Sequence, residues 1–172
     1  MNIASESRAA AADTRYRINY PNSRPRALKL VGLGQGGAKI ARHVRDFKFQ
    51  HVEVLDADNR AADAAASPSH MFKAIAAEGH RLIGALEKAD MIFMVATPSD
   101  DLGVAAEIGQ LGRQRNILIT GVLVVASGAA NPESEGALEL LRAATDMLVI
   151  VSDATYIIEM LTELGANPAK SG

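Results

Sequence analysis

The sequence contains no cysteine and no tryptophan, and only 4% of its residues are aromatic. Without cysteine there is no disulfide, thiolate nucleophile or zinc–thiolate site, and nothing marks an oxidising compartment, so a cytoplasmic location is expected. So few aromatic rings make no platform for base stacking, and a net charge of −2 gives no basic field for a phosphate backbone. Nucleic acid is therefore not an expected partner. Long apolar runs are missing as well. The longest, Ile117 to Ala126, is broken by Thr120 and Gly121 and is about half of what a bilayer crossing takes, so no membrane partner is expected. The N-terminus lacks the basic start, apolar middle and small-residue cleavage site of a secretory signal, and Glu6 and Asp13 fit poorly with an organellar transit peptide.

Hydrolytic and metal chemistry lack their usual marks. His43, His51, His70 and His80 show no spacing of three or four between them, so neither a metal site nor an acid–base dyad is expected from them. No G-x-S-x-G elbow occurs, and Ser127-Gly128 reads as a loop.

What is present fits one domain. A chain of 172 residues is near the usual domain size. Residues 1–26 are rich in Ala, Ser and Arg; Ile3, Tyr16, Ile18 and Tyr20 are too few to offset the entropy of ordering them, so this stretch is expected to be a disordered tail unless it docks on a partner. The domain is expected over 27–166, with 167–172 a short tail.

From Ala27 onward, β-type and helix-type runs alternate. Strands are expected at Leu28 to Gly32, Val52 to Asp56, Met91 to Ala96, Ile117 to Ala126 and Met147 to Val151. These are nearly continuous apolar runs, as in strands covered on both faces. Helices are expected at Gly37 to Phe47, Ser69 to Lys88, Asp101 to Arg113, Pro132 to Ala144 and Ala154 to Leu164. In the second, Phe72, Ile75, Ala76, Gly79, Leu82, Ile83 and Leu86 recur at helical spacing, and Pro68 marks its start. The expected fold is α/β: a doubly wound, Rossmann-like, five-stranded parallel sheet of order 2-1-3-4-5 with helices on both faces and a ligand crevice between the loops after the first and third strands.

At that crevice Gly32, Gly34 and Gly37 satisfy G-x-G-x-x-G, with Gln35 and Gly36 inside the motif. The first glycine permits a tight turn, the second lets a phosphate approach the backbone, and the third lets the helix pack on the strand. Free N–H groups and the positive end of the helix face the same spot. Asp56 ends the second strand and Asp58 follows; an acid here either binds a ribose hydroxyl or caps a turn. Opposite, Thr97 or Ser99 is expected to cap the third helix, with Asp100 and Asp101 at its positive end. Two carboxylates there would repel a γ-phosphate unless Mg²⁺ lay between them.

Over roughly residues 27–160 the chain resembles the N-terminal GTP-binding domain of the FtsZ/tubulin family of bacterial cell-division proteins. Gly32 to Gly37 is similar to that family's first phosphate loop, and Val54-Leu55-Asp56-Ala57-Asp58 to its second strand and loop, with Asp58 at the family's aspartate. Glu87-Lys88-Ala89-Asp90-Met91-Ile92-Phe93 resembles its entry into the next core strand. Gly136 to Arg142, followed by Thr145 to Asp153, is similar to the helix and strand that lead to its base-contacting loop. The resemblance implies a site for GTP or GDP, with Mg²⁺, built from Gly32, Gly34, Gln35, Gly36, Gly37, Asp56, Asp58, Thr97, Ser99, Ser152 and Asp153.

The departures are as informative. The family's G-G-G-T-G-T-G loop is replaced by the shorter Thr97 to Leu102, and Ser152 stands where the family reads guanine with an asparagine. The sequence holds no counterpart of the family's central helix, hydrolytic acids or C-terminal domain. GTPase activity is therefore not expected of this chain alone, and no catalytic residue is assigned. The expected function is a degenerate FtsZ-like nucleotide-binding domain acting through a protein partner: a full-length FtsZ-like protein or another copy of itself. An alternative is an NAD(P)-binding oxidoreductase or accessory module, which rests on Gly32 to Gly37, Asp56 and Val95-Ala96-Thr97-Pro98-Ser99.

Overall fold

The computed structural model describes residues 25–57, 79–125 and 132–168. Its strands are β1 (Leu28–Leu33), β2 (Val52–Ala57), β3 (Met91–Ala96), β4 (Leu118–Val124) and β5 (Met147–Val151). The helices are α1 (Gly34–Asp46), α2 (residues 79–86), α3 (Ala105–Arg115), α4 (Pro132–Ala144) and α5 (Thr155–Glu163). All strand pairs are parallel, in the order β2-β1-β3-β4-β5. This is the doubly wound order expected from the sequence, and β1 and β3 flank the point where the winding reverses.

Alternation along the strands builds two cores. Leu28, Leu30, Phe93, Val95 and Val122 pack with Ala41 and Val44 of α1 and with Ile157 and Leu161 of α5. On the opposite face Val31, Leu33, Ile92, Met94 and Ile119 pack with Leu82 and Leu86 of α2, Ile108 of α3 and Leu141 of α4. Every residue of β3 is buried, the consequence of helices on both sides. Leu82 and Leu86 bear out the expected stripe, whereas Pro68, Phe72, Ile75 and Ala76 lie outside the described residues. Asn167 and Pro168 return to the foot of the sheet, where Gln50 N–H donates to the Asn167 carbonyl at 3.0 Å and Pro168 pairs with Phe49. Among the described residues no helix is long and apolar enough to cross a membrane.

Two helix starts differ from expectation by three residues or more, the other described ends by at most two. α1 starts at Gly34, not Gly37, because Gly34 at φ 60° turns the chain directly from strand into helix. α3 starts at Ala105, not Asp101, because residues 97–104 form the loop that caps α1, described below.

Two aspartates pin the strand starts in the same way. Asp90, just before β3, accepts the Ala27 N–H at 2.8 Å on its carboxylate, and its own N–H donates to the Ala27 carbonyl at 2.9 Å. Asp146, just before β5, makes the same reciprocal pair with Ile119, at 2.8 and 2.9 Å. Each closes a ring between neighbouring strands where the regular ladder begins. Asp146→Ala leaves the N–H of the buried Ile119 without its acceptor; the expected cost is about 2 kcal/mol and a fall in Tm of about 4–8 °C, measured by thermal unfolding. Asp146→Asn, which keeps an acceptor oxygen, is expected to lose less.

Candidate functional site

The sequence motif converges on the mouth between β1 and β3. Gly34, Gly36 and Gly37 lie in the first turn of α1, whose N–H groups have no acceptor within the helix. Leu33, the residue before the helix, makes no side-chain cap. The cap comes instead from Asp100, more than sixty residues away. Its Oδ1 accepts the Gly36 N–H at 2.6 Å, and its Oδ2 accepts the Gly37 N–H at 2.8 Å. Oδ2 also accepts the Thr97 N–H at 2.6 Å and the Thr97 Oγ1–H at 2.8 Å. The Asp100 N–H in turn donates to the Thr97 carbonyl at 3.2 Å, closing the turn that carries it.

A carboxylate therefore sits at the positive end of α1, in the position that a helix N-terminus offers to an anion. It corrects the expected assignment of Thr97 and Asp100: both serve α1 and not α3, whose preceding residue, Val104, makes no side-chain cap. Asp101 bonds the Gly103 N–H at 2.9 Å within the same loop.

The glycines take their meaning from this closure. A Cβ on Gly34 would lie 2.7 Å from the Asp100 Cβ, and the left-handed backbone there disfavours any other residue. A Cβ on Gly36 would strike the Thr97 side chain, and one on Gly37 the Val95 carbonyl. The close approach that the motif permits is made by the protein's own β3 and its following loop.

Above the latch is an open groove of about 850 Å³, bordered by Gly34, Gln35, Gly36, Thr97, Ser99 and Asp100 together with Lys39, Arg42, Ala57, Asp101 and Val104. Gly32 lies beneath it in β1. Ala57 borders the groove on the β2 side, but Asp56 beside it does not: its Oδ2 is paired with Arg42 at 3.5 Å and Arg45 at 3.4 Å, while its buried Oδ1 has no partner. Asp58 lies outside the described residues. Ser152 and Asp153, after β5, do not border the groove. Asp153 Oδ1 accepts the Thr155 N–H and Oγ1–H, each at 2.6 Å, and caps the first turn of α5. These two bonds, with a smaller contribution from the charge of His43, hold its carboxyl below the usual carboxylate range. Because the folded value is the lower one, the cap is at full strength above about pH 4 and is lost as pH falls through the folded value. Among the described residues no three His, Asp or Glu side chains cluster as metal ligands.

Sequence reasoning placed Asp100 near the crevice but missed its target and missed the two arginines on Asp56. The available signal was the absence of any Ser, Thr, Asn or Asp before the glycine motif, which left α1 needing a cap from elsewhere.

No protein-family model matches the sequence, and no curated protein does. Among solved structures the chain is similar to an FtsZ dimer from M. jannaschii, at 13% identity and a TM-score of 0.53, over 86% of this chain and 48% of that one. A point mutant of M. jannaschii FtsZ is similar at 13% identity and a TM-score of 0.56, over 94% of this chain and 60% of that one. The chain thus spans about half to three-fifths of the FtsZ chains whose fold it shares.

Removing the latch tests the geometry. Asp100→Ala withdraws the acceptor from four donors and is expected to cost about 2 kcal/mol, read as a lower denaturant midpoint. Asp100→Asn is expected to recover only part of this, because its amide N–H₂ faces the same donors.

Proposed function

We propose that this protein is a degenerate FtsZ-like domain whose phosphate seat is filled by its own Asp100, and that it works through a protein partner rather than by nucleotide turnover. One observation carries this reading: the carboxylate of Asp100 takes the Gly36 and Gly37 N–H groups that a bound phosphate would need. A nucleotide entering the groove meets donors that are already satisfied and two carboxylates, Asp100 and Asp101, that repel its phosphates. The residues present do not fit a triphosphate in the seat the fold reserves for one. Asp56, the acid at the ribose position, is already paired with Arg42 and Arg45, which supports the same conclusion. Asp153 caps α5 instead of standing free for a base.

What remains is a nucleotide-type face without the means to hold or hydrolyse a nucleotide. Such a face suits a regulator of a full-length relative, meeting it through the surface that a nucleotide-bearing subunit would present.

Thermal unfolding with GTP, GDP, ATP and NADH, each with and without Mg²⁺, is expected to give no upward shift, whereas a ligand at a hundredfold excess over its Kd would add about 2.7 kcal/mol. A shift with GDP or GTP would overturn the proposal; a shift with NADH alone would favour an NAD(P)-binding module. Mixed with a polymerising FtsZ, the protein is expected to change the light-scattering trace of assembly, and an unchanged trace at several-fold excess would count against the partner assignment.

A further inference from the structure

We infer that the outer edge of β5 is a docking strand for an extended segment of a protein partner, apolar along its middle and basic at its two ends, which adds to the sheet as a further strand. The inference rests on the reading that the chain acts through a partner, but not on the Asp100 latch.

β5 ends the sheet order among the described residues. The Val151 carbonyl accepts the Val125 N–H at 2.8 Å, so Val151 and, by strand alternation, Val149 direct their backbone groups toward β4. The N–H and C=O groups of Leu148 and Ile150 then point away from the sheet. Natural edges are blunted with lysine, proline or a bulge, and Met-Leu-Val-Ile-Val has none of these.

The side chains are as open as the backbone. β3 is buried throughout, but of the five β5 residues only Val151 is. Met147 and Ile150 are 50% and 54% exposed, and the elements before and after β5 each carry an exposed apolar residue, Leu140 of α4 and Tyr156 of α5. An extended segment laid along this edge gains main-chain hydrogen bonds for affinity and apolar contacts for specificity.

Charge selects the occupant. Asp146 before β5, Asp153 after it, Glu139 of α4 and Glu159 of α5 are all exposed, and Arg142 is the one Lys or Arg in α4, β5, α5 and the turns joining them. His43 of α1 lies near Asp153. A second copy paired antiparallel through the outward groups of Leu148 and Ile150 would bring Asp146 of each copy to within one position of the other's Asp153, gathering acid at both ends of the pair, which is unfavourable. A segment with lysines or arginines at its ends meets acid at both ends instead.

The test uses the full chain and a fluorescein-labelled synthetic peptide of alternating valine and threonine with lysines at both ends, beside a twin with glutamates there. The lysine peptide is expected to bind, read by anisotropy, more weakly as salt rises, and at least about tenfold more tightly than its twin. Ile150→Pro removes an outward N–H that β4 does not use and is expected to abolish binding. Glu139→Lys with Glu159→Lys keeps the backbone edge and is expected to narrow or reverse the preference, which decides the matter should the proline variant fold poorly. Equal binding of the two peptides, or binding that survives Ile150→Pro, would overturn the inference. A dimer in sedimentation that Ile150→Pro dissolves would assign the edge to a second copy and overturn it too. Nucleotide binding by the chain would leave these peptide results unchanged, so the two proposals fail separately.

Discussion

A single carboxylate bridges the reversal point of this sheet. Asp100 ties the loop after β3 to the first turn of α1, and both elements are shaped for that bond. The α1 turn is built of glycines because any Cβ at positions 34, 36 or 37 would collide with Asp100, with Thr97 or with β3 itself. The loop gives its hydroxyl and its N–H to the same acid and delays the start of α3 to Ala105. The helix N-terminus that in doubly wound folds faces a ligand here holds the protein's own carboxylate, beneath an open groove.

The residues that carry the FtsZ resemblance divide along this line. Asp90 and Asp146 each stand before a core strand and clasp the neighbouring strand's first backbone groups. Their work is fold construction, and they need no ligand to explain them. Gly37 against Val95 is likewise a packing contact, setting α1 close on β1 and β3. Two chains can share such positions without sharing a site, since function is carried by the site and not by the architecture.

The sheet was legible because its signal is local. Apolar runs bounded by polar turns identify strands covered on both faces, and Met91 to Ala96 and Met147 to Val151 match the observed strands to the residue. The alternating order then leaves few topologies. The site was less legible because its decisive contacts are not local. Helix capping is usually read from residues within a turn of the helix start, and by that rule Thr97 and Asp100 belong to α3. Nothing in the spacing says that they turn across the crevice to α1. The arginines on Asp56 escaped for the same reason: Arg42 and Arg45 lie on one face of α1 at helical spacing, and only the β1–α1–β2 packing brings that face over the end of β2. Asp153 lies two positions before the start of α5, where a capping role is open to it that a resemblance between sequences does not reveal.

The strength of the latch decides how far the site is closed. Asp100 is tethered, so its carboxylate meets the α1 turn at the high effective concentration of a short linkage, without the translational cost a free phosphate bears. A latch worth about 2 kcal/mol leaves roughly one molecule in thirty open, and weakens any phosphate ligand by the same thirtyfold. Once displaced, the carboxylate stays within the same short loop, beside Asp101, and repels the group that replaced it. Both effects have the same sign. A nucleotide that bound such a domain with a Kd of about 1 μM in the absence of the acid would be driven to about 30 μM by the acid alone.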